Sequence, residues 1–161
     1  MKQAIMDSTK SPFTNQLKVL QYCVKKRIKM CLDAVDYFEE AGHAYLVTKH
    51  AGNSLRTYFS RKDKEIPMTV AMKLLQSIAL GLYELHNVGI VLGRLSLDSI
   101  KVSPKNDSTL SLYFSGFERA YLTDKKAANP GEQAYEGKAS DIYAFGQLAY
   151  QLLSCHNEKN A

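Results

Sequence analysis

The chain has 161 residues, 45% of them apolar, with ten tyrosines and six phenylalanines. That suffices for one domain with its own core and excludes a chain too polar to fold. The formal net charge is +5 and the pI about 9.0. The basic residues at 25–29 and 61–64 nevertheless have acidic neighbours and no accompanying aromatic ladder, so they read as solvated helix ends and loops rather than a nucleic-acid or membrane face.

Residues 1–12 are polar, end at Pro12 and read as a tail or the remnant of a strand. From Thr14, the apolar positions Leu17, Leu20, Val24 and Ile28 recur at helical spacing, with Thr14 or Asn15 as candidate caps. Residues 31–38 and 43–48 are β-prone runs around the acidic, Gly42-containing turn, which predicts a hairpin. Gly52-Asn53 breaks the chain, and Ser54 caps a short helix through Phe59. Pro67 stands near the start of the strongest helix. Its face is Val70, Leu74, Ile78, Leu82 and Leu85; Met72, Leu75 and Ala79 widen the stripe, so a largely buried helix is expected. Asn87 or Gly89 closes it. Short strands follow at 100–103 and 110–114, joined by the turn-forming Pro104-Lys105-Asn106-Asp107. Residues 117–139 read as irregular, with Pro130-Gly131 as a breaker. A last helix is expected from a Ser140 cap through Asp141, Ile142, Phe145, Leu148, Leu152 and Leu153. The polar tail spans 155–161. By pattern this is an α+β domain dominated by helices.

Cys23, Cys31 and Cys155 are widely spaced, without a Cys-x-x-Cys or a histidine cluster, so no metal site is expected. A sparse, odd count fits a reducing compartment. The N-terminal residues lack the apolar stretch of a signal peptide, and no run approaches the length of a membrane span. These features lead to an expectation of a cytoplasmic protein.

Three segments resemble eukaryotic protein kinases. Tyr45-Leu46-Val47-Thr48, followed by Lys49-His50-Ala51-Gly52, is similar to the last strand of the N-lobe and the hinge, with Thr48 at the gatekeeper position. Gly81-Leu82-Tyr83-Glu84-Leu85-His86-Asn87-Val88-Gly89-Ile90-Val91 resembles the end of the long C-lobe helix running into the catalytic loop. Ser140-Asp141-Ile142-Tyr143-Ala144-Phe145-Gly146 resembles the start of the central C-lobe helix and is the most specific of the three. The matches keep family order and spacing over about residues 14–154. The resemblance implies a partial kinase-like domain over 13–154, with an N-lobe remnant (one helix and a β-hairpin) at 13–50 and a C-lobe portion at 51–154. A complete kinase domain needs well over about 200 residues. No Gly-x-Gly-x-x-Gly occurs, so the resemblance is to a truncated, degenerate member.

The same resemblance assigns positions to chemistry. The catalytic-base position falls on Arg94, whose guanidinium has no acceptor. The metal-ligand positions fall on Ser99 and Phe114, and Phe114 has no oxygen for a hard cation. Ser96 replaces the lysine that steadies the transferred phosphate. Val19, with Lys18 and Leu20 beside it, replaces the helix glutamate, and Lys2 lies about where its lysine partner would. Lys101 takes an apolar position beneath adenine, where an ammonium costs desolvation unless it snorkels outward. Asp98 and Glu118 are nearby carboxylates read as solvated loop acids. The hinge-like positions Thr48, Lys49 and Ala51 would contact a nucleotide. Asp141 would accept backbone N–H bonds from 92–95, and Gly116, Glu132 and Gly146 are further structural positions. The four histidines read as non-catalytic.

These residues lead to the expectation of a catalytically inactive kinase-like domain that acts in signalling by binding another protein, either a genuine kinase or its substrate. No cofactor is expected, and neither nucleic acid nor membrane is an expected partner. The alternative is a protein kinase with an atypical site, and only then are ATP and Mg expected. A non-functional product with core exposed is a third reading.

Overall fold

The computed structural model describes residues 2–6, 12–60, 67–106, 109–123 and 132–157. Among these residues, three small sheets and four helices make a mixed fold, compatible with the α+β class. The first sheet has strand order β1-β3-β2, all antiparallel, from β1 (Lys2–Met6), β2 (Ala34–Glu40) and β3 (His43–Thr48). Residues 2–6, read from sequence as tail or strand remnant, are thus a paired strand. The β2–β3 hairpin forms as expected. Ala41 and Gly42 at its turn both have positive φ (50° and 75°), the left-handed pair whose twist suits a two-residue hairpin.

Helix α1 (Pro12–Lys26) starts two residues before Thr14 (14 − 12), with proline in its first turn, where no N–H is needed. Its buried face is Gln16, Val19, Leu20 and Cys23. Val24, assigned to the apolar face from sequence, is 52% exposed. The apolar periodicity misses the true stripe because a polar Gln16 and a small Cys23 carry two of its positions. Asn15 is not a cap: its amide donates to the carbonyl of Ala120.

Strand β4 (Asn53–Ser54) leads into α2 (Leu55–Ser60), where Ser54 Oγ accepts the Thr57 N–H at 3.1 Å, an N-cap. Helix α3 (Met68–Asn87) follows Pro67 and ends where Gly89 turns at φ 82°. It buries Leu74, Leu75, Ile78, Leu82 and Leu85; each such side chain stabilises the fold by about 1.5–3 kcal/mol. Met72 and Ala79 face outward instead, so the stripe is narrower than the sequence suggests.

Strand β5 (Ile90–Val91) pairs with β8 (Tyr121–Leu122). Strand β6 (Ile100–Asn106) lies between β4 and β7 (Thr109–Phe114). Pro104-Lys105-Asn106 therefore extends a strand; Asp107, the last residue of the expected turn, lies outside the described residues. Pairing with β4 ends at Val102, so Pro104 lies where β6 has β7 as its one neighbour and a missing N–H is tolerated. A 3-10 turn covers Phe117–Arg119.

Helix α4 (Glu132–Asn157) begins eight residues before Ser140 (140 − 132), so 132–139 is helical, not irregular, and Ser140 is interior. Pro130-Gly131 lies outside the described residues. The helix continues through 155–157, placed in the polar tail from sequence; 158–161 lies outside the described residues. Asp141, Leu148 and Leu152 are buried, whereas Ile142 is 55% exposed. A Cβ at Gly137 would lie 1.9 Å from the Tyr121 hydroxyl, so glycine lets α4 approach β8; a Cβ at Gly146 would meet nothing within 4 Å. One core cluster joins α1, α3, β5, β6, β7 and α4.

Candidate functional site

A cavity of about 450 Å³ opens between α1, β3, the 92–99 loop, β6 and the residues after β7. Its walls bring together residues far apart in sequence. Gln16 and Leu20 come from α1, Thr48 from β3, Arg94, Ser96 and Ser99 from the loop, and Lys101 from β6. Ser115, Gly116, Phe117 and Glu118 close it on the side of β7.

The loop is held from below. Asp141 is 1% exposed. Its Oδ2 accepts the N–H of Leu92 at 2.8 Å and its Oδ1 accepts that of Gly93 at 2.9 Å. His86 Nε2 sits 2.9 Å from Oδ2 and is the donor, since a carboxylate only accepts. Asp141 thus ties the end of α3, the loop and α4 through one side chain. The role of His86 was not legible in the sequence, where four scattered histidines gave no pairing signal. Nearby, the Tyr121 phenol is held above its usual pKa range, first by burial and then by the charges of Asp141 and Glu136.

The positions assigned from the resemblance fall in different surroundings. Arg94 is exposed at the cavity wall and makes no ion pair among the described residues. Ser99 is 8% exposed. Its hydroxyl accepts the Ser96 N–H (2.8 Å) and donates to the Ser96 carbonyl (2.9 Å). Its carbonyl accepts from the N–H and hydroxyl of Ser115. Its polar groups are spent on closing the loop. Phe114 is 1% exposed and its N–H donates to the Met30 carbonyl. It packs over α3 so closely that a Cβ at Gly81 would lie 2.6 Å from its ring. Gly116 adopts the left-handed region, φ 80° and ψ 46°, where a side chain would be strained.

Of the hinge-like positions, Thr48 alone lines the cavity. Lys49 points to solvent and pairs with Asp33 at 2.8 Å, which raises its pKa; Ala51 is buried elsewhere. Lys101 is half-buried on the cavity wall. Asp98 lines the cavity, but both its carboxylate oxygens accept from Arg56 Nε, at 3.0 and 2.9 Å. Glu118 also lines the cavity and has no ion-pair partner among the described residues. Val19 is buried in the core. Glu132 is the first residue of α4. Among the described residues no three or more His, Cys, Asp or Glu side chains cluster to hold a metal, and no helix is long and apolar enough to cross a membrane.

Sequence reasoning missed Gln16. It is 7% exposed, and its Oε1 is buried without a hydrogen-bond partner on the wall of the cavity. A lone glutamine within an apolar-periodic helix carries no signal until the cavity is seen.

No family model matches the chain. Among curated proteins, the chain is 23% identical over 171 residues to the dual specificity protein kinase shkE of Dictyostelium discoideum. The match covers 96% of this chain and 23% of that relative, so the chain spans less than a quarter of the relative's length. The similarity to a protein kinase is distant but runs along nearly the whole chain.

Proposed function

We propose that the chain is a kinase-like domain, a mainly helical C-lobe portion with a partial N-lobe, that does not transfer phosphate and acts by binding another protein in signalling. One observation carries the reading. The three positions where kinase chemistry requires a base and two metal ligands hold an acceptorless guanidinium, a hydroxyl consumed by its own loop, and a phenyl ring sunk in the core. The distant similarity to a protein kinase supports the scaffold half of the proposal.

The donor set does not fit Mg²⁺. That ion takes octahedral oxygen ligands, and of the two carboxylates on the cavity wall Asp98 is already engaged by Arg56. Such a donor set supports no phosphoryl-transfer step. Instead the cavity wall offers two cations, Arg94 and Lys101, that make no ion pair among the described residues. Arginine in particular recognises carboxylate and phosphate groups, which favours an acidic segment of a protein partner.

The test is thermal unfolding with ATP, with and without Mg²⁺, beside a labelled-ATP transfer assay. A ligand that binds the native state raises the melting temperature with occupancy. The expected result is no shift at millimolar ATP and no transfer above a mock purification. Binding is tested by co-elution with purified kinases and their substrates, and Arg94→Asp is expected to abolish it.

A second reading, a protein kinase with an atypical site, is favoured by one observation: the Glu118 carboxylate, without an ion-pair partner among the described residues, faces the cavity. Transfer that survives purification and is lost in Glu118→Gln would establish it and overturn the first.

A further inference from the structure

Away from the cavity's polar wall, Cys23 and Cys31 face each other with their sulfurs 3.2 Å apart. Both are free thiols, 0% and 4% exposed. The chain brings them together by folding back after α1. Arg27 takes a left-handed turn (φ 57°), and Ile28 N–H returns to the Cys23 carbonyl at 3.0 Å. Cys31 then pairs with Phe114 in a parallel bridge, and the preceding Met30 carbonyl accepts the Phe114 N–H. One cysteine therefore belongs to α1, and the other is anchored to the end of β7.

We propose that Cys23 and Cys31 form a reversible disulfide that fastens α1 to the end of β7. This inference is independent of the function proposed above. The bonded S–S distance is about 2.05 Å, so the sulfurs close by a small shift of two side chains already in contact. The oxidant is a low-molecular-weight disulfide of the glutathione class. One cysteine, as thiolate, attacks it and releases one glutathione thiol, leaving a mixed disulfide. The second cysteine displaces the other glutathione. Two electrons pass to the oxidant, and the two cysteine protons end on the two released thiols.

The Cys31 thiol is held above the usual thiol range, first by its hydrogen bond with Cys23 and then by burial, with the charges of Glu84 and Asp33 adding to both. Since the thiolate is the nucleophile, oxidation is slow and proceeds through opening of the exposed last turn of α1 and Arg27. The consequence reaches the cavity. Gln16 and Leu20 lie on the same helix as Cys23, and Ser115, Gly116 and Phe117 directly follow Phe114. A bond between Cys23 and Cys31 ties two walls of the cavity together.

The experiment incubates the Cys155→Ala chain with glutathione disulfide, quenches in acid, unfolds, and alkylates. The expected result is loss of both alkylatable thiols and a mass lower by two hydrogens. A peptide linking Cys23 to Cys31 and a higher melting temperature that dithiothreitol reverses complete the expected pattern. Cys31→Ala is expected to abolish the temperature shift; if that variant does not fold, the peptide map of the Cys155→Ala chain decides. Two thiols still alkylatable after prolonged incubation would overturn the proposal. A persistent glutathione adduct in place of the internal link would overturn it equally.

Discussion

Two buried polar side chains, Asp141 beneath the loop and Gln16 on the cavity wall, are nearly equally hidden from water but differently served. Asp141, at 1% exposure, has both oxygens engaged, by two backbone amides and an imidazole. Gln16, at 7%, has a carbonyl oxygen with no partner. A buried polar group that is fully bonded holds a fold together; one left unbonded costs desolvation and gains nothing back within the chain. The contrast separates the part of this molecule that acts as framework from the part that faces a cavity.

The largest expected effect falls on the framework side. Asp141→Ala removes the acceptor for Leu92 N–H, which is buried, and for Gly93 N–H and His86. Leaving such donors unpaired should cost about 2–4 kcal/mol, read as a lower denaturant midpoint. Asp141→Asn should recover only part of this, because its one acceptor oxygen can serve Leu92 N–H and His86 while its NH₂ then faces the Gly93 N–H. An Asp141→Ala chain as stable as the parent would dissolve the distinction between the two regions.

Gly81→Ala probes the floor shared by both. Its Cβ would lie 2.6 Å from the Phe114 ring and from the Met30 sulfur. The methionine can move; the fully buried ring has less room. Overpacking of this kind costs about 1–3 kcal/mol. A neutral outcome would mean that Phe114 is not packed against α3, which would reopen the position to other chemistry.

On the cavity side the sign should reverse. Gln16→Leu keeps roughly the same size and removes the unpaired oxygen, so stability should rise by about 1 kcal/mol. A loss instead would mean that the oxygen has a partner, such as ordered water.

The framework was the more legible half, for physical reasons. The β2–β3 hairpin, the Ser54 cap and α3 are local: a turn, a hydroxyl at a helix start, a run of apolar residues at helical spacing. The miss in α4 was also physical. Residues 132–139 contain Gly137 and no apolar stripe, so they look irregular; the glycine is there because Tyr121 comes within contact range, which no local pattern reveals. The exposed Val24 and the buried Cys23 exchange roles for a similar reason: which face of α1 is covered depends on the 3-10 turn, β2 and β8, which no pattern local to the helix reveals. The cavity depends on such long-range placement throughout. The resemblance pointed to Arg94, Ser99 and Phe114, but that Ser99 closes its own loop, that Asp98 is taken by Arg56, and that Gln16 is left without a partner follow from tertiary packing.

The smallest effect on stability, and the sharpest test of the contrast, is Arg94→Ala. Arg94 is exposed, makes no ion pair among the described residues and lies next to the backbone that Asp141 holds. If the framework carries the loop, the arginine side chain contributes nothing to it, and the unfolding free energy should change by no more than about 0.5 kcal/mol, the range of ordinary surface substitutions. Its position one residue from a backbone amide in the Asp141 clasp makes this a demanding expectation, since any distortion of the loop would spread there first. A stable Arg94→Ala chain that no longer co-elutes with a protein partner would assign the guanidinium to recognition alone. A destabilised one would show that the cation helps hold the loop, and the boundary between framework and cavity would then lie one residue further along the chain.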